Sequence, residues 1–391
     1  MIGRVLDAVR RSDLGYQVGL IGFVQCTNLV RLAHYAIDIH PRYLPRLALV
    51  VGTSVCSGPL RLLESAWHGR RVARIRLQEP PIFIIGHWRS GTTHLHNLMT
   101  QDSALGSLSM YQAMVPNCSL IGGAWLKSLL SRIVPLKRPM DDMVWPVDAP
   151  QEEEIPLAKL MPHAFYTRFL FPDKAQQLFN KYVLMEGAPS SAVKEFKRKY
   201  LRLLQVASLH AGGKRLVLKN PVNTARVRQL LELFPDAKFI HVFRNPYDVF
   251  ASTRHLHRKM LGLTTLQAIR AEKATDAILG LYEVMMKRYF AERSLIPPKN
   301  LVEVRFEDLE RDPLEELRRV YDRLELPGFA EAEPAFRAYA ASQKNYRKNR
   351  LELPEEDRRR VDQRWAFAFR ELGYGMRGRE STEPVAQAAH A

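Results

Sequence analysis

The chain has 391 residues, enough for two or three modules of about 150 residues, or for one α/β domain with extensions. A hydrophobic fraction of 46% and a charged fraction of 25% exclude a disordered chain, a collagen and a polytopic membrane protein. Fifty-eight Lys and Arg against 41 Asp and Glu leave a net charge of +17, a field that draws polyanions, anionic membrane surfaces or phosphorylated small molecules.

Residues 1–78 read as a helical, partly apolar and basic extension. Arg10-Arg11 precede an uncharged run over 14–30, interrupted by Gln17, Gln25, Thr27 and Asn28, and a second uncharged run covers 47–60. Both fall at or below the roughly 17–25 apolar residues that a spanning helix needs, and no small-residue cleavage site follows the first. They are expected to be buried helices packed on the main domain, or an interfacial surface that dips into lipid. Residues 1–79 carry eleven Arg, no Lys and five carboxylates, a net +6 that favours contact with an anionic membrane. The three cysteines, Cys26, Cys56 and Cys118, have neither zinc spacing nor a disulfide pattern and suit a reducing compartment, the cytoplasm.

From Glu79 to residue 375, strands and helices alternate. Residues 81–86 (PIFIIG) form a continuous apolar, β-branched run, the pattern of a buried parallel strand, with a helix expected to follow through about Thr100. Further strands are predicted at Arg215–Lys219, 237–243 and 301–306. Helices are predicted at 222–234, 247–257, 266–290, 313–324 and 355–372. Asp312 before Pro313 suits an N-cap, and Gly373 ends the last helix. The polar tail, 376–391, reads as disordered. This alternation predicts an α/β fold of three layers: a central parallel sheet with helices on both faces. Ligands in such folds bind at the carboxyl ends of the strands, so the chemistry is expected in the loops after Ile85, Leu218 and Phe243.

The first of these loops reads Gly86-His87-Trp88-Arg89-Ser90-Gly91-Thr92-Thr93. Its two glycines have the spacing of a nucleotide P-loop: they permit a tight turn, and the following helix N-terminus offers N–H groups to an anion. The position after the second glycine, Lys in ATPases, is Thr92, and the basic residue is Arg89 inside the loop. No apolar strand ends in a clear metal-binding Asp. The loop therefore suits a phosphate better than a metal-bound triphosphate, which argues against a P-loop kinase.

The stretch PIFIIGHWRSGTTHLHNLM resembles the 5′-phosphosulfate loop of the sulfotransferases that use 3′-phosphoadenosine 5′-phosphosulfate (PAPS). A second stretch, FIHVFRNPYDVFASTRH, resembles their 3′-phosphate motif, a strand ending in Arg (Arg244) followed eight residues later by Ser (Ser252). The resemblance covers about residues 79–372 and implies a P-loop-like fold, PAPS as donor, 3′,5′-adenosine bisphosphate (PAP) as product and no metal. It implies that Gly86, Trp88, Arg89, Ser90, Gly91, Thr92 and Thr93 hold the 5′ side of the donor, with Arg89 neutralising the leaving phosphate, and that Arg244 and Ser252 hold the 3′-phosphate. Lys344 or Arg347, in a segment that resembles the one closing over the donor, would reach the same group.

Transfer to an alcohol needs a proton acceptor. The acidic run Asp148-Ala-Pro-Gln-Glu152-Glu153-Glu154 resembles a motif of the bacterial and lipid-modifying branch, with Glu152 the favoured base and Glu153 second; its pKa is expected to be raised by burial and neighbouring carboxylates. On a helix, successive residues point about 100° apart, so the three acids cannot all face one site. His87 and His163 are rival bases. Lys219, before Asn220-Pro221, is expected to orient the base or the sulfuryl oxygens; Asn223 occupies a position where family members often carry His. The expected acceptor is a hydroxylated lipophilic molecule of glycolipid or menaquinone type, with a saccharide or small soluble alcohol as alternatives. The enzyme is expected in the cytoplasm, in contact with the inner face of the plasma membrane. No nucleic-acid motif is present, and no feature specifies an oligomer.

Overall fold

The computed structural model describes residues 9–32, 39–140, 143–268, 271–343 and 351–376. Five parallel strands form the centre: β1 (Ile82–Ile85), β2 (Leu105–Gly106), β3 (Arg215–Lys219), β4 (Lys238–Phe243) and β5 (Leu301–Arg305), in the order β2-β3-β1-β4-β5. β1 pairs on one side with β3, Ile82 opposite Val217, and on the other with β4, Ile85 opposite His241. The chain thus leaves β1 for both sides of the sheet, and the crevice at its carboxyl end is where such folds bind ligands.

Strand side chains alternate, and both faces are dry. Phe83, Ile85, Leu216, Leu218 and Phe239 enter one core; Ile82, Ile84, Val217, Ile240 and Val242 enter the other. That is why β1 and β3 read as unbroken apolar runs. The first core is covered by helices Ser190–His210, Val227–Leu233, Pro246–Thr264 and Glu355–Glu371. The second is covered by Thr92–Met99, Pro313–Arg323 and Phe329–Gln343. The three-layer expectation holds. So do the Asp312 cap, whose Oδ1 accepts from the Glu315 N–H at 3.1 Å, and the stop at Gly373, which adopts φ +69°.

Some boundaries differ. The helix expected over 222–234 is split into a 3₁₀ turn, Pro221–Ala225, and a helix from Val227, because Asn220 Oδ1 accepts from the Val222 N–H and closes the turn locally. The helix expected from Leu266 begins at Ala271: Thr265 and Gln267 bond each other, and the Leu266 N–H goes to Leu170 O. Phe306 opens a helix rather than ending β5. The two-residue β2 is too short to leave a periodic signal.

The N-terminal segment is packed into the body. Asn28 Nδ2 donates to Ala158 O at 3.0 Å, and buried Glu64 accepts the Leu120 and Ile121 N–H groups at the start of the Ser119–Ile133 helix. Ile21, Val24, Leu32 and Val50 share a core with Leu170 and Phe171.

Candidate active site

Three loop ends meet at the carboxyl edge of the sheet. After β1 the chain turns through Gly86 (φ +140°) and Gly91 (φ +100°). A Cβ on Gly86 would lie 2.2 Å from Val242 O, and one on Gly91 2.1 Å from the Phe306 ring, so only glycine fits either place. Arg89 itself sits in the left-handed region at φ +70°, costly for a long side chain, and its Nε donates to Ser252 Oγ at 2.8 Å. That bond joins the two motifs that lie 163 positions apart.

Arg244 leaves the end of β4 over the Phe306 ring. Its Nη1 reaches Arg89 O only at 3.5 Å and its Nη2 reaches Asp248 at 3.3 Å, while its buried Nε has no hydrogen-bond partner among the described residues. A half-buried guanidinium with long bonds and one unpaired N–H can receive an anion. Arg89, Gly91, Thr92, Thr93, Arg244 and Ser252 all line one cavity of about 270 Å³, beside the first turn of the Thr92–Met99 helix. These residues fit the phosphates of a donor nucleotide.

Gly86 and Ser90 do not line that cavity. The Gly86 N–H is spent on Thr224 Oγ1 at 2.7 Å, and Ser90 Oγ donates to His87 O at 2.7 Å. Both bonds shape the loop from behind. Trp88 lines the cavity and donates from its indole to Tyr166 at 2.7 Å. Lys344 and Arg347 lie outside the described residues.

The cavity continues to Glu152 and Lys219, whose Oε1 and Nζ are 2.5 Å apart. Tyr166 donates its hydroxyl to Glu152 Oε2, completing a chain Trp88–Tyr166–Glu152–Lys219. Burial works to raise the Glu152 pKa, but the charge and hydrogen bond of Lys219 and the Tyr166 hydroxyl outweigh it and hold the carboxyl below 4.5. The expected upward shift is therefore reversed: Glu152 is an ionised acceptor, not a neutral-range titrating group. Burial lowers Lys219 from 10.5 against the opposing pull of Glu152. A catalytic base must be deprotonated and the lysine cationic, so kcat/KM is expected to fall on the acid side only below pH 4.5, and on the alkaline side below pH 10.5. A pH–rate profile checks this; an acid limb near neutrality would remove the pairing from the working enzyme.

The three acids point three ways, as a helical turn requires. Glu153 is fully buried outside the cavity, and neither of its oxygens is hydrogen-bonded to a described neighbour. It is not placed to serve as a base. Burial first, then Glu152 and Glu154, push it up to about 8 against Lys219. Between 4.5 and about 8 the native state holds a proton that the unfolded chain releases. This group's stabilising contribution is thus complete below 4.5 and is lost as pH rises through 8. Glu153→Gln is expected to remove a slope of up to about 1.4 kcal/mol per pH unit in that window, measured by chemical denaturation near its two ends. Equal pH dependence of variant and wild type would contradict the burial of a neutral Glu153.

Glu154 faces the core and binds Arg226 Nη1 at 2.7 Å, with both side chains 0% exposed, while it also accepts from Asn220 Nδ2 at 3.0 Å and the Phe165 N–H at 2.7 Å. It thereby fixes the loop behind Lys219 against the loop that carries Tyr166. The rival histidines are elsewhere. His87 is buried against Tyr282 and pushed down to about 3 by burial, and His163 stacks on Tyr182; neither lines the cavity.

The rest of the wall is largely apolar, with Leu20, Ile21 and Val24 from the N-terminal segment and Ile155, Phe169, Leu170, Leu256 and Met260 from the body, together with Met143, Val144 and Trp145. Buried Lys159, also in the wall, donates to Gly19 O at 2.8 Å and Met114 O at 3.0 Å, tying the Asp13–Ile21 helix in place. The sequence reading missed Tyr166, Lys159 and Arg226, and named Glu154 only as part of the acidic run, without its role in the core. It also set residues 1–78 apart from the site, although Leu20, Ile21 and Val24 belong to it.

A parallel sheet, a glycine loop with an internal arginine, an arginine after β4 and a carboxylate held by a lysine meet at one cavity, an arrangement suited to group transfer from an anionic donor. Residues 80–331 match the profile of the Sulfotransferase family, and the chain belongs to that family. It is 33% identical over 332 residues to omega-hydroxy-beta-dihydromenaquinone-9 sulfotransferase Stf3 of Mycobacterium tuberculosis and of Mycobacterium bovis, covering 85% of this chain and 84% of each relative. Its fold matches sulfotransferase STF9 from Mycobacterium avium (TM-score 0.68, 22% identity, 95% of this chain and 98% of that one). It also matches sulfotransferase STF1 from M. tuberculosis (TM-score 0.61, 21% identity, 83% and 85%). The chain is a sulfotransferase.

Proposed function

We propose that the protein transfers a sulfuryl group from PAPS to the hydroxyl of a lipophilic acceptor of hydroxylated prenylquinone type. The observation that carries this is one cavity lined by Arg89, Thr92, Thr93 and Arg244, by Glu152 and Lys219, and by a largely apolar remaining wall. The acceptor class draws further support from the Stf3 relatives, named for a hydroxylated menaquinone.

In this reading Glu152 takes the proton of the acceptor hydroxyl as its oxygen bonds to sulfur. The bond from sulfur to the bridging phosphate oxygen breaks, and the electron pair leaves with PAP. Arg89 and the first turn of the Thr92–Met99 helix meet the charge that develops there. Lys219 keeps Glu152 ionised and aimed, and Tyr166 fixes its second oxygen. Three free thiols accord with a cytoplasmic location.

The test is labelled PAPS offered to the purified protein with a hydroxylated prenylquinone, a lipid extract and an aqueous metabolite extract. The expected product is a lipid heavier by one SO₃. Label found only in saccharides or other water-soluble alcohols would overturn the acceptor class.

A further inference from the structure

We propose that the outer face of the two consecutive helices Leu44–Cys56 and Gly58–Ala73 seats the protein on an anionic lipid surface. The observation is an inverted amphipathicity. Between Tyr43 and Gly69 the Arg, Lys, Asp and Glu side chains are Arg46, Arg61 and Glu64, and each is turned inward onto the protein, with His68 half-buried near the end of the stripe. Arg46 donates to Gly262 O at 2.9 Å and Thr265 O at 2.5 Å; Arg61 donates to Val24 O at 3.0 Å and Ser54 O at 2.6 Å; Glu64 accepts from Leu120 N–H at 2.8 Å. The large side chains left outside are apolar: Leu44, Val51, Val55, Leu62 (74% exposed), Leu63 and Trp67 (76%), with the small Ser65 exposed among them. Their successive separations are seven, four, seven, one and four, and the fours and sevens lie close to whole helical turns, which keeps them on one side of the helices. A face turned only to water would carry the opposite distribution.

Charge selects the occupant. Arg42 is exposed at one end of the stripe, and Arg70, Arg71, Arg74 and Arg76 are exposed at the other. An apolar stripe holding Trp and flanked by arginines matches a bilayer interface with anionic headgroups. Pro41–Ala73 is long and apolar enough to cross a membrane by length and composition. Its inner face, however, is engaged along its length, from Val50 in the core to Gly69 O, which accepts from Arg202. A segment held against the body in this way lies on the membrane rather than through it.

The seat is joined to the cavity. Val50, on the inner face, shares a core with Ile21, Val24 and Leu170, which line the apolar wall. Val144 lines the cavity and is itself 70% exposed. The same helix thus faces lipid on one side and, on the other, backs residues that line the acceptor cavity. Delivery of the acceptor from the bilayer rests on the proposed acceptor class; the seat itself does not.

The experiment is flotation of the full chain with phosphatidylcholine vesicles, with and without phosphatidylglycerol, alongside titration with PAP. Wild type is expected to float with the anionic vesicles and to be released by salt. Leu62→Glu with Trp67→Glu is expected to abolish flotation with PAP affinity intact. Arg70→Gln with Arg71→Gln and Arg74→Gln is expected to weaken anionic-vesicle binding roughly 100-fold at low salt. Wild-type protein that stays with the unfloated fraction overturns the seat whatever the variants do. So does a double variant that floats as wild type, or a concentration-dependent dimer, lost in the double variant, with no vesicle binding. Absence of PAP binding would overturn the donor reading and leave the seat standing.

Discussion

Glu152→Gln is expected to lower kcat by about 10²–10⁴-fold while leaving PAP affinity unchanged. The amide keeps the size of the side chain; its one oxygen can still accept from Lys219, and its NH2 can donate to the Tyr166 hydroxyl, which turns from donor to acceptor. What is lost is the ability to take the acceptor proton. The carboxylate is ionised in the native protein because Lys219, at 2.5 Å, outweighs the cost of its burial. A wild-type kcat would remove Glu152 as the base. A rise in KM alone would make it a residue that binds the acceptor without accepting its proton. Steady-state kinetics with the donor saturating, paired with PAP titration, separates the three outcomes.

Glu154→Ala is expected to destabilise the protein by about 3–5 kcal/mol, the cost of leaving a buried charge without its partner. Arg226 is 0% exposed and keeps no other carboxylate in the described structure; it faces the Phe196 ring, and its Nε is already unsatisfied. The Asn220 side chain and the Phe165 N–H would lose their acceptor as well. Because these groups anchor the loops behind Lys219 and Tyr166, turnover is expected to fall along with stability. Denaturant unfolding, with circular dichroism to confirm the fold, checks the prediction. A loss under about 1 kcal/mol would mean that water reaches Arg226 and that the pair behaves as a surface ion pair.

The layered fold could be read from the chain because parallel strands buried on both faces leave continuous apolar runs, and each run here is closed by a glycine, lysine or arginine loop. The donor side could be read because its residues sit within a few positions of strand ends. Arg89 and Arg244 needed no knowledge of packing, only of where β1 and β4 stop. The acceptor side followed other rules. Tyr166 meets Glu152 across 14 positions and Trp88 across 78, and neither separation has a local signature. The run of three acids announced a site without saying which acid faced it, since the helical turn at Glu153 sends each in a different direction. The pKa of Glu152 was expected to move the wrong way because proximity in sequence to Glu153 and Glu154 is visible, whereas proximity in space to Lys219 is not. Leu20, Ile21 and Val24 looked like part of a separate extension because uncharged helices bury themselves equally well against any apolar wall.

Donor binding in this cavity is tested most directly by a titration of PAP into the purified full chain in EDTA, wild type beside Arg244→Ala. One site is expected in the wild type, weakened at least about tenfold by the substitution, since a charge-assisted fork on phosphate contributes roughly 1.5–3 kcal/mol. No binding of PAP, with ATP and Mg²⁺ bound in its place, would contradict the account.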